Sequence, residues 1–129
     1  MTHPAYTLGV LAGRYAICRL EPTARIPDWA TGCHLFSITR TPSELSIVCP
    51  EGQVPPSMTC DRGWRVLELE GPFDLATTGV VASIADPLAA AGISLFVVST
   101  HDTDYVLVKD AALGEAVSAL AARGHHVNR

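Results

Sequence analysis

Alternation of apolar and polar residues predicts β-strands throughout the first half of the chain. Residues 6–20 contain two apolar stretches around a short polar segment, which predicts two strands joined by a tight turn. Residues 36–48 alternate around a proline-containing turn and predict a hairpin. Residues 26–30 predict a single short helical turn. Residues 50–57 break all periodicity, so they mark a loop or a boundary between two modules.

A strand followed by a helix is predicted after this boundary. Residues 64–70 alternate with period two and stop at a Gly-Pro pair, as a half-buried strand does. Apolar residues then recur at helical spacing from Val80, and Gly92 provides a helix end. Threonine hydroxyls just before Gly79 are suited to cap this helix. Pro87 lies within it, and the residues alone leave open whether the helix kinks there or a second helix begins.

The remainder of the second half predicts a hairpin and a closing helix. Residues 93–99 and 105–108 are rich in β-branched and aromatic residues, and a polar connection of hairpin length joins them. Apolar residues from Leu113 to Leu120 mark one face of a final helix. The second half therefore has the predicted order β-α-β-β-α.

Composition limits the classes of protein to which this chain can belong. Its 129 residues allow one domain or two small modules, and the 48% hydrophobic and 17% charged shares predict a folded chain. A net charge of −4, with Lys109 as the only lysine, argues against a nucleic-acid surface. No apolar run reaches the roughly 18 residues of a membrane span. We therefore expect a cytoplasmic, soluble protein that binds neither nucleic acid nor membranes.

The four cysteines and five histidines do not form a recognisable metal or catalytic motif. No cysteine pair has CxxC spacing, so buried thiols are the favoured interpretation, with disulfides left open. Cys33 and His34 are adjacent and would point to opposite faces of a strand, which argues against a nucleophile and base. His125 and His126 are interpreted as a solvated terminus. We expect no metal, no cofactor and no catalytic residue.

Two segments of the second half resemble an ACT domain. The first runs from residue 71 to 94 and includes a Gly-Val-Val-Ala helix start and an Ala-Gly-Ile-Ser helix end; the second is residues 98–108. Together they are similar to small bacterial tandem-ACT proteins, the CASTOR arginine sensors and the regulatory ACT repeats of aspartate kinases. The resemblance implies an α+β fold of two tandem, ferredoxin-like βαββαβ units, with antiparallel sheets and helices on one face.

The same resemblance implies how the chain is organised. Residues 1–60 would form a degenerate ACT-like unit, and residues 61–129 would form an ACT domain. The helix would continue through Pro87, kinked, because ACT helices of this subgroup carry an Asp-Pro or Glu-Pro pair. Side-by-side association of such units implies a homodimer, which an exposed sheet edge also favours.

Two polar segments are the candidate ligand-binding site. Residues Thr77, Thr78, Gly79 and Val80 turn a loop into a helix, whose first N–H groups suit a carboxylate. Gly79 lacks a Cβ and permits close approach to the backbone. From the residues alone an ordinary helix cap is favoured, whereas the resemblance implies a loop that binds the α-amino-acid part of a ligand.

The polar connection between the two late strands is the other candidate wall. The resemblance implies that Asp104 meets the cationic end of a ligand and that Thr100, His101 and Thr103 line the same pocket. His101 and Thr103 replace aromatic residues of the arginine sensors, which argues against arginine and leaves an amino acid as the ligand class. From the residues alone, solvated turn residues remain an alternative.

The resemblance implies a non-catalytic regulatory protein that binds an amino acid or a related metabolite and passes its signal to a separate effector protein. One alternative is an enzyme that uses His101, Asp102 or Asp104 as acid or base on a small metabolite. Another is a purely structural, partner-binding subunit whose pocket is filled or collapsed.

Overall fold

A computed structural model of the protein describes residues 4–129, which form two compact units. One unit comprises residues 13–64, and the other combines residues 4–12 with residues 65–129. The boundary expected at residue 60 would divide the chain into two consecutive segments. In the structure, one unit instead combines the segments that precede and follow residues 13–64. The assignment of residues 1–60 to a degenerate ACT-like unit stays a prediction.

The unit of residues 13–64 is an antiparallel sheet. Its strands are β2 (Tyr15–Leu20), β3 (Ser37–Arg40), β4 (Leu45–Pro50) and the first residues of β5 (Asp61–Leu69). They lie in the order β3-β4-β2-β5, with Ile38 opposite Ile47 and Ile17 opposite Val48. The predicted hairpin is confirmed as β3 and β4, and the predicted helical turn as a 3-10 turn at Asp28–Ala30.

The cysteines of this unit differ in oxidation state: two are free thiols and two form a disulfide. Cys49 is a free thiol in the core, as predicted, and burial, followed by the nearby Cys33 thiol, raises its pKa to about 11. It is therefore protonated at neutral pH and is a poor nucleophile. The interpretation as a free thiol is wrong for Cys18, which forms a disulfide with Cys60. Sequence spacing carried no signal for this pair, since the two cysteines are 42 residues apart.

The second unit is a five-stranded sheet with two helices. It contains β1 (Thr7–Val10), the later residues of β5, α1 (Val80–Ala90), β6 (Phe96–Ser99), β7 (Asp104–Lys109), α2 (Leu113–Ala122) and β8 (His126–Asn128). The strand order is β8-β1-β5-β7-β6. Strand β1 runs parallel to β8 and antiparallel to β5, and β6 runs antiparallel to β7. The predicted α+β class with mainly antiparallel pairing is thus confirmed.

Both helices cover the same face of this sheet. Ile84 and Leu88 of α1 and Leu120 of α2 lie in one buried cluster with strand residues such as Leu8 and Leu69. Removal of this apolar surface from water is the main favourable term in forming the unit. No helix within residues 4–129 is long and apolar enough to cross a membrane.

Two strand predictions need correction. The apolar stretches around Gly13 are both strands, but they do not pair with each other: β1 pairs with β5 and β8, whereas β2 pairs with β4 and β5. The frayed, solvated terminus predicted at residues 125–126 is wrong for His125, which is 6% exposed, whereas His126 is exposed as predicted but begins β8. Three residues are too few to produce a periodic signal.

Helix α1 is one continuous helix. Pro87 lies inside it and is buried, so the alternative of a second helix is excluded and the expected continuation is confirmed. Gly92 has a φ of +73° just after the helix and donates its N–H to Ala89 O at 2.9 Å. It is the left-handed residue that the sequence predicted at this end.

Candidate ligand-binding site

A surface cavity of about 350 Å³ lies between the loop that precedes α1 and the turn that joins β6 to β7. All predicted site residues except Thr78 line it. The lining residues from that prediction are Thr77, Gly79, Val80, Thr100, His101, Thr103 and Asp104. The two separate polar segments therefore meet at one place, while exposed Thr78 does not line the cavity.

The start of α1 is left without a side-chain cap. Gly79 is the N-cap residue with a φ of +80°, and among residues 4–129 no side chain caps the helix there. The expectation that threonine hydroxyls cap the helix is therefore wrong, because the cap position belongs to a residue without a side chain. The first helical bond runs from Ser83 N–H to Gly79 O at 3.0 Å. The N–H groups of residues 80–82 precede this bond, and all three residues line the cavity.

The loop before α1 is held by Asp74. Its Oδ1 accepts a hydrogen bond from Ala76 N–H at 2.8 Å, and its carbonyl oxygen accepts one from Thr77 N–H at 2.9 Å. Phe73, Asp74 and Leu75 line the cavity but are absent from the predicted site. A signal existed for Asp74, since aspartate commonly opens a turn by bonding to the backbone two residues on.

The opposite wall is the turn between β6 and β7. Thr100 and Thr103 close it, with Thr100 N–H donating to Thr103 O at 2.8 Å. Ser99 Oγ donates to Asp104 Oδ1 at 2.6 Å, which fixes that carboxylate at the start of β7. His101 Nδ1 lies 2.9 Å from Asp102 Oδ1, and both side chains are exposed.

Hydrogen bonds join the two walls. Phe73 N–H donates to Asp102 O at 2.7 Å, and Thr103 Oγ1 donates to Leu69 O at 2.6 Å. Gly71 makes this approach feasible, because a Cβ at this position would lie 2.9 Å from Asp102 O. The cavity is therefore bounded by two loops that are fixed to each other.

The charges around the cavity are asymmetric. Three carboxylates line it, those of Asp74, Asp102 and Asp104, and its lining residues include no lysine or arginine. Burial, followed by the carboxylates of Glu68 and Asp102, raises the pKa of nearby Tyr105. The unpaired N–H groups at the start of α1 supply the opposite polarity. The arrangement suits a small molecule that carries a carboxylate and a cationic group.

His101 is the histidine that lines the cavity. His101 contacts the Asp102 carboxylate, which is not a nucleophile partnered by a base. Within residues 4–129, no group of three or more His, Cys, Asp or Glu side chains could hold a metal ion.

Comparison with known families identifies both halves of the chain. Residues 59–122 match the model of the ACT domain, and residues 13–57 match a second model described as an N-terminal domain. A Bos taurus protein named cytosolic arginine sensor for mTORC1 subunit 1 is 30% identical over 100 residues. This match covers 69% of the present chain but only 30% of that relative, so the chain spans less than a third of its length.

Solved structures resemble nearly the whole chain. Protein Atu0741 from Agrobacterium tumefaciens has a TM-score of 0.91 and 42% identity, over 97% of this chain and 93% of that protein. Aspartate kinase from Clostridium acetobutylicum has a TM-score of 0.69 at 10% identity, over 95% of this chain and 35% of the kinase. At that identity the kinase supports the fold alone.

Proposed function

Because this chain belongs to the ACT domain family, we propose that it is a non-catalytic regulatory protein that binds a small amino acid or a related metabolite. The ligand would lie in the cavity between the loop before α1 and the β6–β7 turn. Its carboxylate would accept hydrogen bonds from the N–H groups of residues 80–82, and its ammonium or side-chain cation would face Asp104.

One observation carries this proposal: the uncapped start of α1 and the carboxylate of Asp104 line the same cavity. A helix N-terminus stabilises an anionic group, and a carboxylate forms strong charge-assisted hydrogen bonds with a cation. An amino acid carries both charges within a few ångströms. The complementary polarity therefore selects zwitterionic ligands over neutral metabolites of similar size.

The space at the helix start argues against a purely structural subunit. Apart from residues 78–80, no heavy atom of the described residues lies within 4 Å of the position that a Cβ on Gly79 would occupy, so this part of the cavity is open. The curated relative is named an arginine sensor, which supports sensing of an amino acid by this chain as well. A separate effector protein and a homodimer are part of the proposal.

A thermal-shift screen over the amino acids tests the proposed function. The protein is first unfolded, dialysed and refolded to remove any ligand carried through purification. At one hundred times its dissociation constant, a true ligand should stabilise the protein by about 2.7 kcal/mol, which raises the melting temperature measurably. Thr78→Ala should respond like the original protein, since Thr78 does not line the cavity.

Two outcomes of this screen would contradict the proposal. If no amino acid raises the melting temperature, the proposed ligand class is wrong. If a ligand binds but is chemically altered after incubation, as seen by mass spectrometry, the protein is an enzyme. Mass spectrometry of small molecules released from the natively purified protein would identify the ligand directly.

A further inference from the structure

A cluster outside the predicted site joins the residue before β1, the residue before β8 and α1. Tyr6 N–H donates to His125 Nδ1 at 3.0 Å, and the two rings stack with centroids 5.7 Å apart and planes inclined by 16°. His125 Nε2 lies 3.2 Å from the carbonyl oxygen of Ser83 in α1. The imidazole is only 6% exposed, so both ring nitrogens are directed at protein groups.

The partners of the imidazole determine its tautomer. A backbone N–H can only donate, so Nδ1 must present a lone pair to Tyr6. A carbonyl oxygen can only accept, so Nε2 must carry the proton that faces Ser83. His125 thus bridges a donor just before β1 and an acceptor on α1. A side chain without two such nitrogens cannot replace both bonds.

The two partners of His125 lead to opposite ends of the loop that precedes α1. Ser83 donates both its N–H and its Oγ to Gly79 O, at 3.0 and 2.8 Å, and so defines the first turn of α1. On the other side, the ring of Tyr6 packs edge-on against Phe73, with centroids 5.7 Å apart at 75°. Phe73 lines the cavity and bonds to the β6–β7 turn through Asp102.

We propose that His125 is a positioning residue that sets the relative placement of the Gly79 helix start and the Phe73 loop. Its effect on ligand affinity rests on the proposed function, whereas its effect on the geometry of the ligand-free cavity does not. Groups that bind a ligand must be held within a few tenths of an ångström, and residues behind them commonly provide this constraint. His125 is linked to both ends of the loop before α1 without lining the cavity of about 350 Å³ itself.

The test compares His125→Phe with His126→Phe. Phenylalanine at 125 keeps an aromatic ring against Tyr6 but removes both nitrogens, while His126 is the exposed neighbour on β8 and provides a matched control. In the ligand-free protein, His125→Phe should shift the amide NMR resonances of residues 73 and 80–82, and His126→Phe should leave them in place. For an amino acid that the original protein binds, Kd should rise about tenfold in His125→Phe and less than twofold in the control.

A spectroscopic signature separates this role from general support of the fold. Long-range ¹⁵N–¹H NMR of the original protein should show His125 as the neutral tautomer protonated at Nε2. The opposite tautomer, or unchanged amide resonances of residues 73 and 80–82 in His125→Phe, would overturn the proposal. If His125→Phe does not fold, Tyr6→Leu, which removes both ring contacts, gives the same readout. If the original protein binds no amino acid, the proposed function fails, and the amide resonances still decide the role of His125.

Discussion

Asp104 is held at the cavity wall before any ligand arrives, since Ser99 Oγ already donates to its carboxylate. Replacement by alanine removes a charged acceptor, so we predict that Asp104→Ala weakens binding of a cationic amino acid about 10- to 100-fold. A neutral amino acid of similar size should lose less, because its side chain makes no ion pair there. Isothermal titration calorimetry with lysine and glutamine measures the difference.

The charge of Asp104 can be separated from its shape. Asp104→Asn keeps the volume and an oxygen that can accept from Ser99 Oγ, but it carries no charge. We expect this variant to bind neutral amino acids like the original protein and cationic ones as weakly as Asp104→Ala does. Equal losses for both ligand classes would show that Asp104 does not contact a cationic side chain.

Helix α1 begins at a glycine that no other residue replaces without strain. Gly79 has a φ of +80° and open space where a methyl group would lie, so Gly79→Ala should destabilise the protein by about 1–2 kcal/mol through its backbone alone. Gly114 in α2 has equally open space and no positive φ, so Gly114→Ala should be neutral or stabilising by up to about 1 kcal/mol. Urea unfolding measures both. Equal stability of the two variants would contradict the role of the left-handed cap.

Elements with a long periodic signal could be predicted, and those without one could not. The helical spacing from Val80 and the alternation in β5 indicated both elements, because a buried face leaves a repeat in the sequence. Strand β8 has three residues and left no repeat. The partners of β1 were also missed, since register between distant strands depends on tertiary packing and not on local pattern.

The candidate site was predictable only at residues that match the pattern of the ACT domain family. The resemblance to ACT domains pointed to Gly79 and Asp104, and both line the cavity. Phe73 was missed because an aromatic residue in a loop has many ordinary roles. His125 was missed because its burial arises from contacts with Tyr6 and with Ser83 of α1, which no local window of sequence contains.

At the scale of the molecule, one covalent link constrains the unit of residues 13–64. The Cys18–Cys60 disulfide closes a segment of 42 residues and should stabilise the fold by about 4 kcal/mol through the lost freedom of the unfolded chain. Reduction should lower the free energy of unfolding by about this amount in a urea titration. The same reductant should not change the Cys18→Ala/Cys60→Ala double variant, and an unaffected original protein would argue against the link.

Strand β1 gives the chain an unusual order of assembly. Leu8 is fully buried beside β5, and Tyr6 bonds to His125, 119 residues further along. During vectorial synthesis, β1 would leave the ribosome before its partners β5 and β8 have been made. Native contacts so distant in sequence make folding slow. A fragment cut to residues 59–122, which match the ACT domain model, would lack both β1 and β8. We therefore expect this fragment to expose its core and aggregate. The segment that matches the family would then be shorter than the segment needed for folding.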